Sequence, residues 1–177
     1  MDVAQNSVRA QASIVRITVN ESDKNDLLVI SISDNGCGMT DEQVQQVIDP
    51  FFTTRTTRKV GLGVPLFKLS AEQTGGSFDI RSKVGEGTVT TASYVKSSVD
   101  MTPLGDINST VKILIQCNPG IDFVYTRSTD SDSFTLDTRE LREVLGDVSL
   151  DNADVLGWIA DYLEENTNNL YGGADQL

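Results

Sequence analysis

Four short stretches between residues 2 and 88 hold the groups that could do chemistry. Asp34 ends the apolar run Leu27–Ser33 (LLVISIS) and precedes the turn Asn35-Gly36-Cys37-Gly38. A carboxylate at the end of a strand sits on a rigid support, and when ionised it accepts hydrogen bonds but donates none. That suits the exocyclic amino group of adenine and disfavours a guanine carbonyl in the same place. Gly36 and Gly38 let the backbone come close to a flat base. Asp2, Asn6 and Arg9 fall on one face of a small-residue helix, at spacings of four and three. An amide oxygen between an acid and a base suits magnesium, which prefers hard oxygen donors and completes its shell with water and phosphate. Thr53 to Gly63 (TTRTTRKVGLG) combines hydroxyls, three cations and two glycines, a composition whose N–H groups could fold over a triphosphate. Gly61-Leu62-Gly63 at a helix start adds the positive end of the helix dipole. In Gly85-Glu86-Gly87-Thr88 the Thr88 hydroxyl could reach the base through water. Taken singly, each stretch reads more readily as a turn, a surface asparagine or a solvated loop.

The elements that must position these groups follow from periodicity. Val3–Ala12 reads as a helix, Ile14–Val19 as a strand, Ser22–Asp26 as a polar turn and Leu27–Ser33 as a central strand. Thr40 and Gln43 form a capping box opening a short helix. Residues 49–63 read as a loop, and Phe51 and Phe52 within it as its apolar anchors. Val64–Thr74 reads as a helix, with Pro65 in its first turn where a missing N–H costs little. Strands Ser77–Ser82 and Thr88–Val95 follow. Beyond Asp100, Val111–Cys117 and Ile121–Arg127 flank Asn118-Pro119-Gly120 and predict a hairpin. Asp137, with Glu140 at the third position, caps a helix ending at Gly146. Asn152–Glu165 is amphipathic, and the tail after Asn166 reads as frayed.

Composition narrows the classes of function. The chain of 177 residues has no histidine, which removes histidine-based triads and autophosphorylation on histidine. Cys37 and Cys117 show no metal spacing, and neither a disulfide nor a zinc site is expected. No run of apolar residues is long enough for a membrane helix, so a soluble cytoplasmic protein without membrane contact is expected. Residues 1–100 carry ten basic against twelve acidic side chains, and residues 101–177 carry four against fourteen. This acidic balance argues against a nucleic-acid partner, since phosphate neutralisation needs a basic face. The acidic half reads either as a solvated surface or as a docking face for a basic partner.

In order and wording these stretches resemble the signature boxes of the GHKL (histidine-kinase-like) ATPase superfamily: Asn6 on the first helix, D-N-G-C-G-M at 34–39, D-P-F-F-T-T-R at 49–55, G-L-G-V at 61–64 and G-E-G-T at 85–88. The wording is most similar to histidine-kinase catalytic domains, and the likeness covers residues 1 to about 95. The resemblance implies an α+β fold of the Bergerat type, a two-layer sandwich of a mixed or antiparallel sheet on helices. Residues 1–99 would form it, and residues 100–177 an acidic extension of a β-hairpin and two helices. The resemblance also implies ATP and magnesium as cofactors. Asn6 would hold the metal, Asp34 would accept from adenine, and Gly36, Gly38, Met39, Gly61, Leu62, Gly63, Val64 and Thr88 would contact the nucleotide. Arg9, Thr53, Thr54, Arg55, Arg58 and Lys59 would face the phosphates. Hydrolysing relatives place a glutamate general base one turn before the asparagine, where this chain has the shorter Asp2.

Three functions fit these features. One is a kinase-type domain that transfers the γ-phosphoryl group to a partner in trans, or slowly hydrolyses ATP. The second is a non-catalytic regulator that reads ATP or ADP and signals to a partner protein. The third is an anti-sigma-type serine kinase, a group that generally lacks the P-F-F-T-T box. A partner protein is expected in each, and a homodimer would be one way to complete the first helix.

Overall fold

The computed structural model describes residues 1–49 and 62–172. In chain order these form α1 (Asp2–Arg9), β1 (Ile14–Ser22), β2 (Leu27–Asp34), α2 (Asp41–Ile48), α3 (Gly63–Gln73), β3 (Ser77–Lys83) and β4 (Gly87–Val95). They continue with α4 (Ile107–Cys117), β5 (Asp122–Ser128), β6 (Ser133–Asp137), α5 (Thr138–Leu145) and α6 (Ala153–Leu170). The strands make one six-stranded mixed sheet in the order β3-β4-β2-β1-β5-β6. All pairs are antiparallel except β1 with β5, which run parallel. The fold is therefore α+β, as expected.

Side-chain alternation sorts each strand into two faces. On β1, Val15, Ile17 and Val19 are buried, while Arg16 and Asn20 are exposed. The register carries these buried positions across the sheet in rows, one of them running Ile80, Thr90, Ile32, Ile17, Tyr125 and Leu136. The opposite face carries hydroxyls, as in the row Asp79, Thr91, Ser31, Thr18, Thr126 and Thr135. The apolar rows need a cover, and the helices supply it. α3 packs on β3 and β4, α4 and α5 on β5, and α6 on α4 and β6.

Helix ends follow their caps. Thr40 and Gln43 exchange the two hydrogen bonds of the expected capping box, at 3.3 and 2.9 Å. The Asp137 side chain accepts from the Arg139 amide at 2.9 Å, and α5 stops at Gly146, whose φ is +59°.

Two expectations for the C-terminal half are corrected. Val111–Cys117 is not a strand of a hairpin but most of helix α4. Its β-branched residues suggest a strand, yet the buried positions are Val111, Leu114 and Ile115, the spacing of a helix face. Asp106 starts the helix by accepting from Ser109 N at 2.8 Å, a cap the reading overlooks. The hairpin is formed instead by β5 and β6, so that three helices rather than two accompany it. Within the described residues, which end at Gly172, the tail after Asn166 is held rather than frayed. α6 continues to Leu170, which is buried, and the Tyr171 hydroxyl hydrogen-bonds the Glu21 carboxylate and accepts from Arg127 Nε at 3.1 Å. The Arg127 guanidinium also lies over the Tyr171 ring, 4.9 Å from its centroid.

Burial, with the Glu21 carboxylate next in effect, pushes the Tyr171 phenol up to about 12. A raised phenol favours the folded state below its ordinary value near 10, and that contribution fades as the pH rises through 12. Tyr171→Phe is therefore expected to remove part of the alkaline destabilisation seen between those values in denaturant titrations. Leu170→Ala should cost about 2–3 kcal/mol at neutral pH, measured by urea unfolding, because it empties a buried site.

Candidate functional site

The site is built where β2 ends. Asp34 pairs across the sheet with Thr88 of β4, and Thr88 pairs with Ser82 of β3. These three polar residues form one row on the mostly apolar inner face, at its edge nearest α1. Ser7 of α1, itself buried, donates to Asp34 Oδ2 at 2.6 Å. The Gly36 amide donates to Asp34 Oδ1 at 2.9 Å. Charge-assisted bonds of this kind are strong and fix the carboxylate plane.

The turn after Asp34 is held from both sides. Asn35 Oδ1 accepts from the Ser13 and Ile14 amides at 2.9 and 3.0 Å, and its Nδ2 donates to Ser13 Oγ at 2.8 Å. Cys37 N donates to Ala10 O at 2.9 Å, and Gly85 N to Cys37 O at 2.8 Å. Two glycines allow the backbones to nest. A Cβ on Gly38, at φ +65°, would sit 2.0 Å from Lys83 O, and one on Gly87, at φ +106°, 1.9 Å from Asp34 O.

Above this floor lies a cavity of about 210 Å³. Asn6, Asp34, Gly38, Met39, Val64 and Thr88 line it, so the structure brings together these six of the residues singled out from sequence. Gly36 lies beneath it against Ala10, where a Cβ would come within 2.7 Å. Arg9 is exposed, with Nη1 3.5 Å from Asn6 Oδ1. Asp2 is exposed at the start of α1 and is not among the lining residues; it abuts Gly63 at the start of α3. Leu62 is exposed at the N-cap of α3. Thr53, Thr54, Arg55, Arg58, Lys59 and Gly61, with Phe51 and Phe52, lie outside the described residues.

Sequence reasoning missed the supporting residues. Ser7 stands beside Asn6 and turns toward the sheet, and Ser82 accepts from Met39 N and meets Thr88 Oγ1, both at 2.8 Å. Val3, Ile32, Val47 and Ile80 supply apolar walls. The signal for Ser82 was a hydroxyl at an inward strand position, two residues after Ile80 and four after Phe78.

The pocket combines apolar walls, one fixed carboxylate and a glycine-nested floor, features that would suit a small flat polar molecule. Residues 1–98 match the family described as histidine kinase-, DNA gyrase B-, and HSP90-like ATPase, and the chain belongs to that family. Sensor protein SrrB of Staphylococcus aureus, in strains including NCTC 8325 and COL, is 40% identical over 79 residues. That stretch is 42% of this chain and 13% of the sensor protein, so the likeness spans only a small part of these relatives. Among solved structures, the N-terminal domain of a DNA repair protein superposes with a TM-score of 0.53 at 14% identity. It covers 77% of this chain and 50% of that one, which shows a shared fold reaching beyond the family-matched residues.

Gly87→Ala is expected to destabilise the protein by about 3 kcal/mol, because strain and a clash with the Asp34 carbonyl coincide. Gly85→Ala, where a Cβ meets nothing within 4 Å, should cost only about 1 kcal/mol from its positive φ. Thermal unfolding of the two variants checks the difference.

Proposed function

We propose that this chain binds ATP with magnesium and acts as the catalytic domain of a histidine-kinase-like phosphotransferase, passing the γ-phosphoryl group to a partner protein. The observation that carries the reading is the Asp34 carboxylate, held by Ser7 and the Gly36 amide at one end of an apolar cavity, with Thr88 beside it. An ionised carboxylate there accepts from the amino group of adenine, and the walls cover the faces of the ring.

Asn6 lines the same cavity and offers a hard amide oxygen, which fits magnesium that takes its other ligands from water and phosphates. Asn6 is the metal residue of this reading. Bound magnesium would neutralise phosphate charge. Arg9 stands beside Asn6 and supplies a cation on the same helix. The phosphate roles of Thr53, Thr54, Arg55, Arg58, Lys59 and Gly61 rest on their sequence alone. Phosphoryl transfer asks chiefly for positioning and charge stabilisation, which these groups provide.

The sequence holds no histidine, so a histidine phosphoacceptor would lie outside these 177 residues. Asp2, at the start of α1 beside Gly63, is the residue that hydrolysis would need as general base, and without that role the chain reads as a nucleotide-responsive regulator. No helix among the described residues is long and apolar enough to cross a membrane.

Calorimetric titration of the purified chain with magnesium-ATP, alongside a turnover assay, tests the proposal. Asn6→Ala is expected to weaken magnesium-dependent binding about tenfold, and Asp34→Asn to weaken ATP roughly tenfold to a hundredfold. Unchanged affinity in both variants would remove the site assignment. Binding without turnover, and without transfer to any candidate histidine protein, would favour the regulator.

A further inference from the structure

α6 turns one face to the core and leaves another without a partner. Val155, Leu156, Ile159 and Leu163 are buried, while Asp154, Trp158, Asp161 and Glu165 are exposed. Spacings of four, three and four put these exposed residues on one stripe. Trp158, 48% exposed, is the chain's one tryptophan. Its indole stacks on Tyr162, with ring centroids 5.1 Å apart and planes at 23°, so one face is covered and the ring is held. Tyr162 is fixed in turn: its hydroxyl donates to Thr135 O of β6 at 2.9 Å, and its ring meets Phe134 edge-on at 6.4 Å. Gly157 beside Trp158 faces open space, since a Cβ there would meet nothing within 4 Å. A glycine inside a helix weakens it, and nothing in the packing among the described residues requires this one.

The charge around Trp158 is of one sign. Asp154, Asp161 and Glu165 make no ion pair among the described residues. The four cations of residues 101–177 are engaged elsewhere: Arg127 with Glu21, Arg139 with Asp137, Arg142 with Asp122, and Lys112 near Asp106. We propose that this face of α6 docks an arginine-rich segment of a partner protein, with a guanidinium on the open face of Trp158 and neighbouring cations on Asp154, Asp161 and Glu165. Arginine fits because its planar cation both stacks on an indole and pairs with carboxylates. From Asp154 to Glu165 the stripe runs about 16 Å, which about five extended residues would cover. A second copy of this face, an anionic lipid surface and nucleic acid would each bring like charge onto it. The face lies outside residues 1–98, which match the ATPase family, and the proposal does not depend on the ATP reading.

The test titrates the full chain with a hexa-arginine peptide at about 50 mM salt, where charges are weakly screened, and follows the emission of Trp158. A saturable change is expected, with hexalysine of equal charge binding about threefold more weakly. Asp154→Asn combined with Asp161→Asn should weaken hexa-arginine about tenfold. Glu140→Gln combined with Glu143→Gln on α5, which removes the same charge elsewhere, should change it by less than about twofold. Trp158→Ala, followed by calorimetry, should weaken the peptide about fivefold, and Trp158→Phe should weaken it less. All the altered positions are exposed, so the variants are expected to fold, which circular dichroism checks. Attraction by net charge alone would respond equally to either acid pair and would not separate arginine from lysine. Either of those results, or no saturable change in Trp158 emission, overturns the proposal. A like response to phosphatidylserine vesicles or single-stranded DNA, or a dimer that Trp158→Ala dissociates, assigns the face to another occupant and overturns it as well.

Discussion

A carboxylate on the apolar face of a sheet is the constraint around which this molecule is arranged. Alternation along β2 places Ile30, Ile32 and Asp34 on the same side, and the first two are packed, partly buried, against the core. A charge there is stable only with hydrogen bonds to satisfy it. Ser7 can supply one only if α1 lies directly over the end of β2, and the Gly36 amide only if the chain turns back at once. The turn in turn needs Gly87 beneath it, because no side chain fits against the Asp34 carbonyl. Helix placement, turn geometry and glycine positions thus follow from one inward-facing acid.

Much of the N-terminal half was legible in the sequence because its signals are local and mutually consistent. The strand Leu27–Ser33, the Thr40–Gln43 capping box and the glycine turns each carry a pattern that one stretch of chain defines alone. Asn6, Asp34, Met39 and Thr88 could be named from motif order, and they converge on one cavity. Ser7 and Ser82 could not be found this way. Their roles come from strand register and helix packing: inward alternation marks Ser82, but neither serine's sequence neighbours say what it holds.

The C-terminal half was harder for a related reason. Val111–Cys117 has the β-branched composition of a strand, and only its burial pattern against the sheet makes it a helix. Tertiary packing outweighs a propensity difference of a few tenths of a kcal/mol per residue. The end of α6 was likewise misread, since Leu170 and Tyr171 are held by partners on β1 and β5 rather than by neighbours in sequence.

The parallel pairing of β1 with β5 joins Ile14 to Asp122 and Asn20 to Ser128, residues more than a hundred positions apart. Until β5 arrives, β1 is an edge strand offering a row of unpaired amides and carbonyls, flanked by buried valines and isoleucines that still lack α4 and α6. During synthesis the chain therefore carries an adhesive margin through most of its emergence from the ribosome. The segment that matches the ATPase family carries this edge, and the acidic segment after it supplies the strand that covers it.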